Sequence, residues 1–111
     1  MDAIGSEAFY NCSRLGGIVI PDGVTTIEHS TFEGCENLNK MELGLPDTLV
    51  TICSDAFKGC ENLMSVEIPA GVKKVESGAF DIKNLQKVKC PEAANVSERA
   101  FGDSHPEIIW Y

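Results

Sequence analysis

One pattern is written four times along the chain and begun a fifth, and nothing else in the sequence constrains the fold as tightly. Its clearest copy is Ile52 to Val72, ICSDAFKGCENLMSVEIPAGV, and the template is I-x3-A-F-x2-C-x2-L-x2-I-x-I-P-x2-V-x2-I. A repeat of this length cannot bury its apolar positions alone, so successive copies must stack. Aligning the copies gives columns. The Phe column is Phe9, Phe32, Phe57, Phe80 and Phe101, with steps of 23, 25, 23 and 21 residues. A small residue precedes each Phe: Ala8, Thr31, Ala56, Ala79, Ala100. Leu15, Leu38, Leu63 and Leu85 form a second column, and Ile18, Met41, Val66 and Val88 a third. Ile20, Leu43, Ile68 and Cys90 follow, then Pro21, Pro46, Pro69 and Pro91. Val24, Leu49, Val72 and Ala93 come next, and Ile27, Ile52, Val75 and Val96 close the copy.

The uneven steps place their gains and losses in turns, where a solenoid tolerates them. The long step is assigned to two extra residues in Leu43-Gly44-Leu45-Pro46, and the short one to residues missing between Phe80 and Leu85 and after Pro91. Leu63-x2-Val66-x-Ile68 ends in alternation, the mark of a short strand with one buried face. Pro69 stops the ladder because it has no N–H to donate. Pro21-Asp22-Gly23 and Pro69-Ala70-Gly71 are turns, and Val72-x2-Val75 is a second extended piece. Asp55 to Cys60 is expected to form one helical or 3₁₀ turn, with Gly34 and Gly59, and Asn11 in the first copy, ending it in the left-handed region. Stacking at the spacing of strands gives a rod about 20 Å long with the Phe rings as its spine.

These residues resemble the Treponema-type, or BspA-like, leucine-rich repeat. Ala56-Phe57-x2-Cys60-x2-Leu63-x2-Val66-x-Ile68-Pro69 and its equivalents carry the likeness over roughly Ile4 to Phe101. The fourth copy departs from it with Ile82 in the Cys slot, and the end from about residue 102 keeps only Ala100-Phe101 before diverging. The resemblance implies an α/β-type solenoid, a right-handed coil with a short parallel sheet on one face and helical or 3₁₀ turns and extended segments elsewhere. It also implies adhesion or host interaction at a cell surface, and it brings no catalytic motif. The 111 residues are read as a single domain of about four and a half coils. The chain opens almost inside a repeat, at Ile4, so we expect a segment of a longer protein whose own signals set the compartment.

The net charge of −8, from 17 acidic and 9 basic residues, argues against a nucleic-acid backbone or an anionic membrane as partner. No apolar run reaches the length of a membrane helix, and direct insertion is not expected. Cys12, Cys35 and Cys60 occupy one repeat slot. Side chains stacked in parallel do not converge on a tetrahedral metal, nor do their Cβ vectors point at one another as a disulfide needs. A ladder of buried thiols is therefore expected, with Cys90 in a core slot of its own. Cys53 follows a core Ile and is expected to be the exposed, reactive one. His29 shares its slot with Ser6, Ser54 and Ser77, and neither it nor His105 lies in a nucleophile motif. Glu36 and Glu61 stack, but two carboxylates are too few for a hard cation. No cofactor is implied.

The solvent side of the main strand is the expected recognition surface. Its positions read Gly17, Lys40, Ser65 and Lys87 in one column and Val19, Glu42, Glu67 and Lys89 in the next. Aromatic residues gather instead in Ile108-Ile109-Trp110-Tyr111, a run that completes the last strand, covers the open core or binds a partner. The candidate interaction set is thus Lys40, Glu42, Ser65, Glu67, Lys87, Lys89, Trp110 and Tyr111. Exposed strand edges at both ends lead us to expect that the chain either self-associates end to end or is a piece of a longer array. The expected function is a non-catalytic binding module of a surface or secreted repeat protein, with a protein or a glycan as partner. An intracellular scaffold that assembles through its ends is the alternative.

Overall fold

A computed structural model describes residues 3–39, 43–102 and 104–111. The repeated apolar columns become coils stacked in parallel register, and two edges of each coil carry strand. The first edge is a five-stranded parallel sheet of β1 (Ala3–Ile4), β3 (Thr26–Ile27), β5 (Thr51–Ile52), β7 (Lys74–Val75) and β9 (Asn95–Val96). Its register aligns Ile4, Ile27, Ile52, Val75 and Val96, as the last sequence column requires. The second edge holds β2 (Ile18–Val19) paired with β4 (Leu43–Gly44), and β6 (Ser65–Glu67), β8 (Lys87–Cys90) and β10 (Glu107–Trp110) paired in that order. A single sheet on one face was expected. Two edges carry ladders, because Val-x2-Ile is as regularly apolar as Leu-x2-Ile-x-Ile.

The expected helical turns do not form: among the described residues there is no α-helix or 3₁₀-helix. The reason lies in where the backbone N–H groups go. In the Phe segment alternate N–H groups close three-residue-spaced turns within the coil, such as Ala56 to Cys53 O, Lys58 to Asp55 O and Cys60 to Phe57 O (3.3, 3.2 and 3.2 Å). The intervening N–H groups of Asp55, Phe57 and Gly59 donate instead to Ser77, Ala79 and Asp81 of the next coil, at 3.2, 2.8 and 3.1 Å. An N–H spent on the neighbour cannot serve a helix. The third residue of two of the three turns has positive φ, as type II turns demand. These are Glu7 and Asn11, Ser30 and Gly34, and Asp55 and Gly59 in the first three coils. The expected left-handed residues are therefore in place, but they end turns rather than helices.

The register also relocates the two extra residues of the second copy. Ile18 pairs with Leu43 and Val19 with Gly44, so Leu43 stands where Met41 was expected. The excess lies between Leu38 and Leu43, not after Leu43. Likewise Ala94, whose N–H reaches Pro91 O at 3.1 Å, fills the slot given to Ala93.

The core is the set of columns. Phe32, Phe57 and Phe80 are fully buried, as are Leu38, Leu63, Ile52 and Ile68. The five Phe rings stack with centroids 5.3, 5.2 and 5.1 Å apart, widening to 6.4 Å and a 27° tilt at Phe101. Thr31, the one polar member of the small column, donates its hydroxyl to Glu28 O at 2.8 Å. Overall extents of 30 × 29 × 23 Å make the stack no longer than it is wide.

Phe57→Ala is expected to cost about 3–5 kcal/mol, and Phe101→Ala clearly less, because its half-buried ring has a neighbour on one side only. Urea titrations showing equal losses would contradict this stack. Gly59→Ala forces a Cβ onto a left-handed residue, with an expected loss of about 1–3 kcal/mol in the same assay.

Candidate interaction surface

Strand alternation on β6, β8 and β10 divides the side chains between core and solvent. Ser65, Lys87 and Glu107 lie side by side in one outward row, and Glu67, Lys89 and Ile109 in the next. The exposed Lys89 ammonium is 4.0 Å from the Glu67 carboxylate; a pair so open to water contributes little stability. Its role is to set a local charge pattern. Beside it the chain end continues the ladder, with Tyr111 opposite Pro91, and its ring reaches across the sheet. Tyr111 donates its N–H to Cys90 O at 3.0 Å, accepts from Glu92 N–H at 2.8 Å, and donates its hydroxyl to Ile68 O two coils away. Partial burial, and then the nearby Cys90, Glu67 and Asp47, push the phenol pKa upward, which keeps that hydroxyl a donor. Glu67, Lys89, Ile109 and Tyr111 together line an open depression of about 480 Å³.

The eight candidate residues therefore divide. Glu67, Lys89 and Tyr111 converge on one depression, and Ser65 and Lys87 flank it in the adjoining row. Lys40 and Glu42 lie outside the described residues. In the outward column Val19 is followed by Gly44 rather than Glu42, which leaves Val19, 78% exposed, beside a bare glycine. Trp110 does not join the outward surface, because it pairs with Cys90 in the inward-facing column, where it is 48% exposed on the last described strand. Ile109 was missed as a surface residue. The alternation of EIIW against KVKC could have revealed it, had Ile108 been aligned with Val88.

The thiols are also placed by the stack. All five cysteines are free, and Cys35, Cys60 and Cys90 are buried. The Cys35 thiol donates to Phe9 O at 3.2 Å and the Cys60 thiol to Phe32 O at 3.1 Å, each bridging to the preceding coil. Those carbonyls already accept Cys12 N–H and Cys35 N–H, so sulfur fills a second lone pair. Ile82, fully buried, takes the slot in the fourth coil. Cys53 corrects an expectation: it is half-buried, and burial, then Glu76 and Glu28, raise its pKa, opposed by Lys74. The raised pKa lowers the thiolate fraction relative to an open thiol, though Cys53 stays less enclosed than the buried Cys35, Cys60 and Cys90. Glu36 and Glu61 are exposed, as is His29. Among the described residues no group of three or more His, Cys, Asp or Glu is placed to hold a metal.

Comparison with known proteins explains the shared architecture. The model of the BspA-type leucine-rich repeat region matches residues 2–109, as six copies. The chain belongs to this family. The match runs through the end that was expected to diverge, in keeping with β10 holding register with β8. A leucine-rich repeat protein from Bacteroides ovatus is 30% identical, with a TM-score of 0.60, over 80% of this chain and 31% of its own. The T. pallidum leucine-rich repeat protein is 29% identical, with a TM-score of 0.59, over 78% of this chain and 51% of its own. The chain thus spans about half or less of either protein. A search of curated proteins gave no match.

The buried thiols predict alkaline sensitivity. Burial raises Cys60 to about 12, helped by the neighbouring Cys35, and Cys35 and Cys90 to about 11, from 9.0 in the open chain. Folded-state values above the unfolded one mean stability is full below pH 9 and falls as pH rises toward 11–12. Each buried thiol contributes a slope of about 1.4 kcal/mol per pH unit in that window. Cys60→Ala should flatten the fall by one such slope in urea titrations between about pH 9 and 11; an unchanged slope would contradict a buried Cys60.

Proposed function

We propose that the chain is a non-catalytic protein-interaction module, displayed by a cell-surface or secreted repeat protein and serving adhesion or host contact. Leucine-rich repeats are a typically non-catalytic fold suited to interaction. The observation that carries the reading is the depression between Glu67, Lys89, Ile109 and Tyr111. It offers one cation, one anion, an aliphatic side chain and an aromatic ring on a rigid parallel ladder. A protein segment that presents an apolar residue between opposite charges fits this set. The rows on either side, with Ser65, Lys87 and Glu107, supply the polar rim that surrounds an interface centre.

The test is binding of the immobilised chain to a panel of extracellular proteins and to a glycan array. A protein ligand is expected whose affinity drops at least about tenfold in Lys89→Glu and in Ile109→Ser, the loss expected at an interface centre. Lys74→Glu, on the other sheet, should leave binding unchanged. Loss confined to Lys74→Glu would move the site to that sheet, and a glycan-only response would replace the partner class. Antibodies against the chain should label intact cells without permeabilisation; labelling only after permeabilisation would favour an internal scaffold.

A further inference from the structure

Two asparagines head the triplet Asn-x-Ser, in Asn11-Cys12-Ser13 and in Asn95-Val96-Ser97. This triplet is the acceptor of N-linked glycans. The asparagine amide and the hydroxyl two residues on must face the same way, which an extended segment provides.

The stack presents the two triplets differently. Asn95 and Val96 form β9, and Ser97 continues its line, donating its N–H to Val75 O at 2.9 Å. Val96 packs on the core, so Asn95 and Ser97 share the outward side. Asn95 is exposed, and its carboxamide makes no hydrogen bond among the described residues. The row beside Asn95 holds Thr26, Thr51 and Lys74, so no other coil repeats the pairing. Asn11 is wound into a turn instead. Its φ is 57°, and Ser13 donates its N–H to Asn11 O at 2.7 Å. The Asn11 carboxamide lies on Gly34 of the next coil, where an added Cβ would stand 2.1 Å from Asn11 Oδ1. A sugar on Asn11 has to lift that carboxamide off the neighbouring coil, whereas one on Asn95 displaces nothing.

There is also room at the second triplet. An open recess of about 240 Å³ lies beside Asn95 and Ser97, lined also by Lys74, Glu76 and Ser77. The Lys74 ammonium and Glu76 carboxylate pair there at 3.2 Å. Together with the two serine hydroxyls they offer donors and acceptors to the hydroxyls of a first sugar.

We propose that Asn95 is an N-glycan acceptor, modified as the chain is exported. The inference rests on the surface or secreted display proposed above. The donor is an oligosaccharide carried on a polyprenyl diphosphate. The Asn95 amide nitrogen bonds to the anomeric carbon, and the bond from that carbon to the diphosphate oxygen breaks. The amide gives up one proton and the lipid diphosphate leaves. The glycan, bulky and solubilising, then stands on the five-stranded sheet, on a different edge of the coil from the depression at Glu67 and Lys89. It covers the row of Thr51 and Lys74 and leaves the proposed binding surface open.

Secretion of the 111-residue chain from a eukaryotic cell line, behind a cleavable export signal, tests the site. Intact mass before and after treatment with a peptide N-glycosidase reads it. The expected result is a single glycan per chain that the enzyme releases, leaving an aspartate at that position. Asn95→Gln and Ser97→Ala should each abolish it, and Asn11→Gln should leave it unchanged. Ser97→Thr should retain it, which separates the need for a hydroxyl from a failure to fold. A wild-type chain secreted without a glycan, or a glycan that survives Asn95→Gln, would overturn the proposal. The supplied signal makes the result independent of the native compartment, which the antibody labelling above reads. A failure of that labelling overturns the display reading alone.

Discussion

Everything in this molecule depends on how the Phe segment divides its backbone N–H groups. Alternate groups fold the coil on itself and the others hold it to the next. The division needs residues that tolerate positive φ at fixed places, and the chain supplies Asn, Gly, Asp, Ser and one Glu there. It also needs a small residue before each Phe, because that backbone lies against its neighbours above and below. With both conditions met, a flat aromatic ring lands over the same ring one coil away. The strands at the two other edges are two to four residues long, too short to hold a sheet unaided. They are kept in register by the stack, not the reverse.

The thiol column shows the same economy at one atom. A Cys at this slot is as buried as a Val would be, yet it bonds to a carbonyl that already has one partner. That explains why a cysteine recurs in a chain with no disulfide. It also separates Cys35 and Cys60 from Cys53, which has neither a bridging carbonyl nor a place in the columns.

Most of the architecture was legible because the apolar columns are vertical contacts, and a vertical contact repeats in sequence. The Phe spine, the buried thiols and the fully buried Ile82 in the fourth coil follow from spacing alone. Misreadings arose where sequence is degenerate. Met41 and Leu43 are both apolar and two apart, and a shift of two keeps every side chain on its own face. Alternation cannot choose between them; the ladder Ile18 to Leu43 does. Asp55 to Cys60 read as a helical turn because the acceptors that prevent a helix lie in the next coil, more than twenty residues away. The depression was half legible. Glu67 and Lys89 fall out of the columns, whereas Tyr111 reaches it by a side chain that crosses to Ile68 O two coils away, a contact that no spacing announces.

The one-way bonds between coils have an electrical consequence. A peptide group carries a dipole of about 3.5 D, and those of the Phe segments that bridge the coils lie head to tail from one coil to the next. The strands, whose bonds run in both directions, add little to this sum. The stack therefore has a built-in axis of polarity, positive at the Phe101 end and negative at the Phe9 end, that owes nothing to ionisable side chains. Neither pH nor charge-changing substitution removes it. In a protein whose side chains are acidic overall, this backbone contribution makes the potential along the stack uneven without any change in side-chain charge.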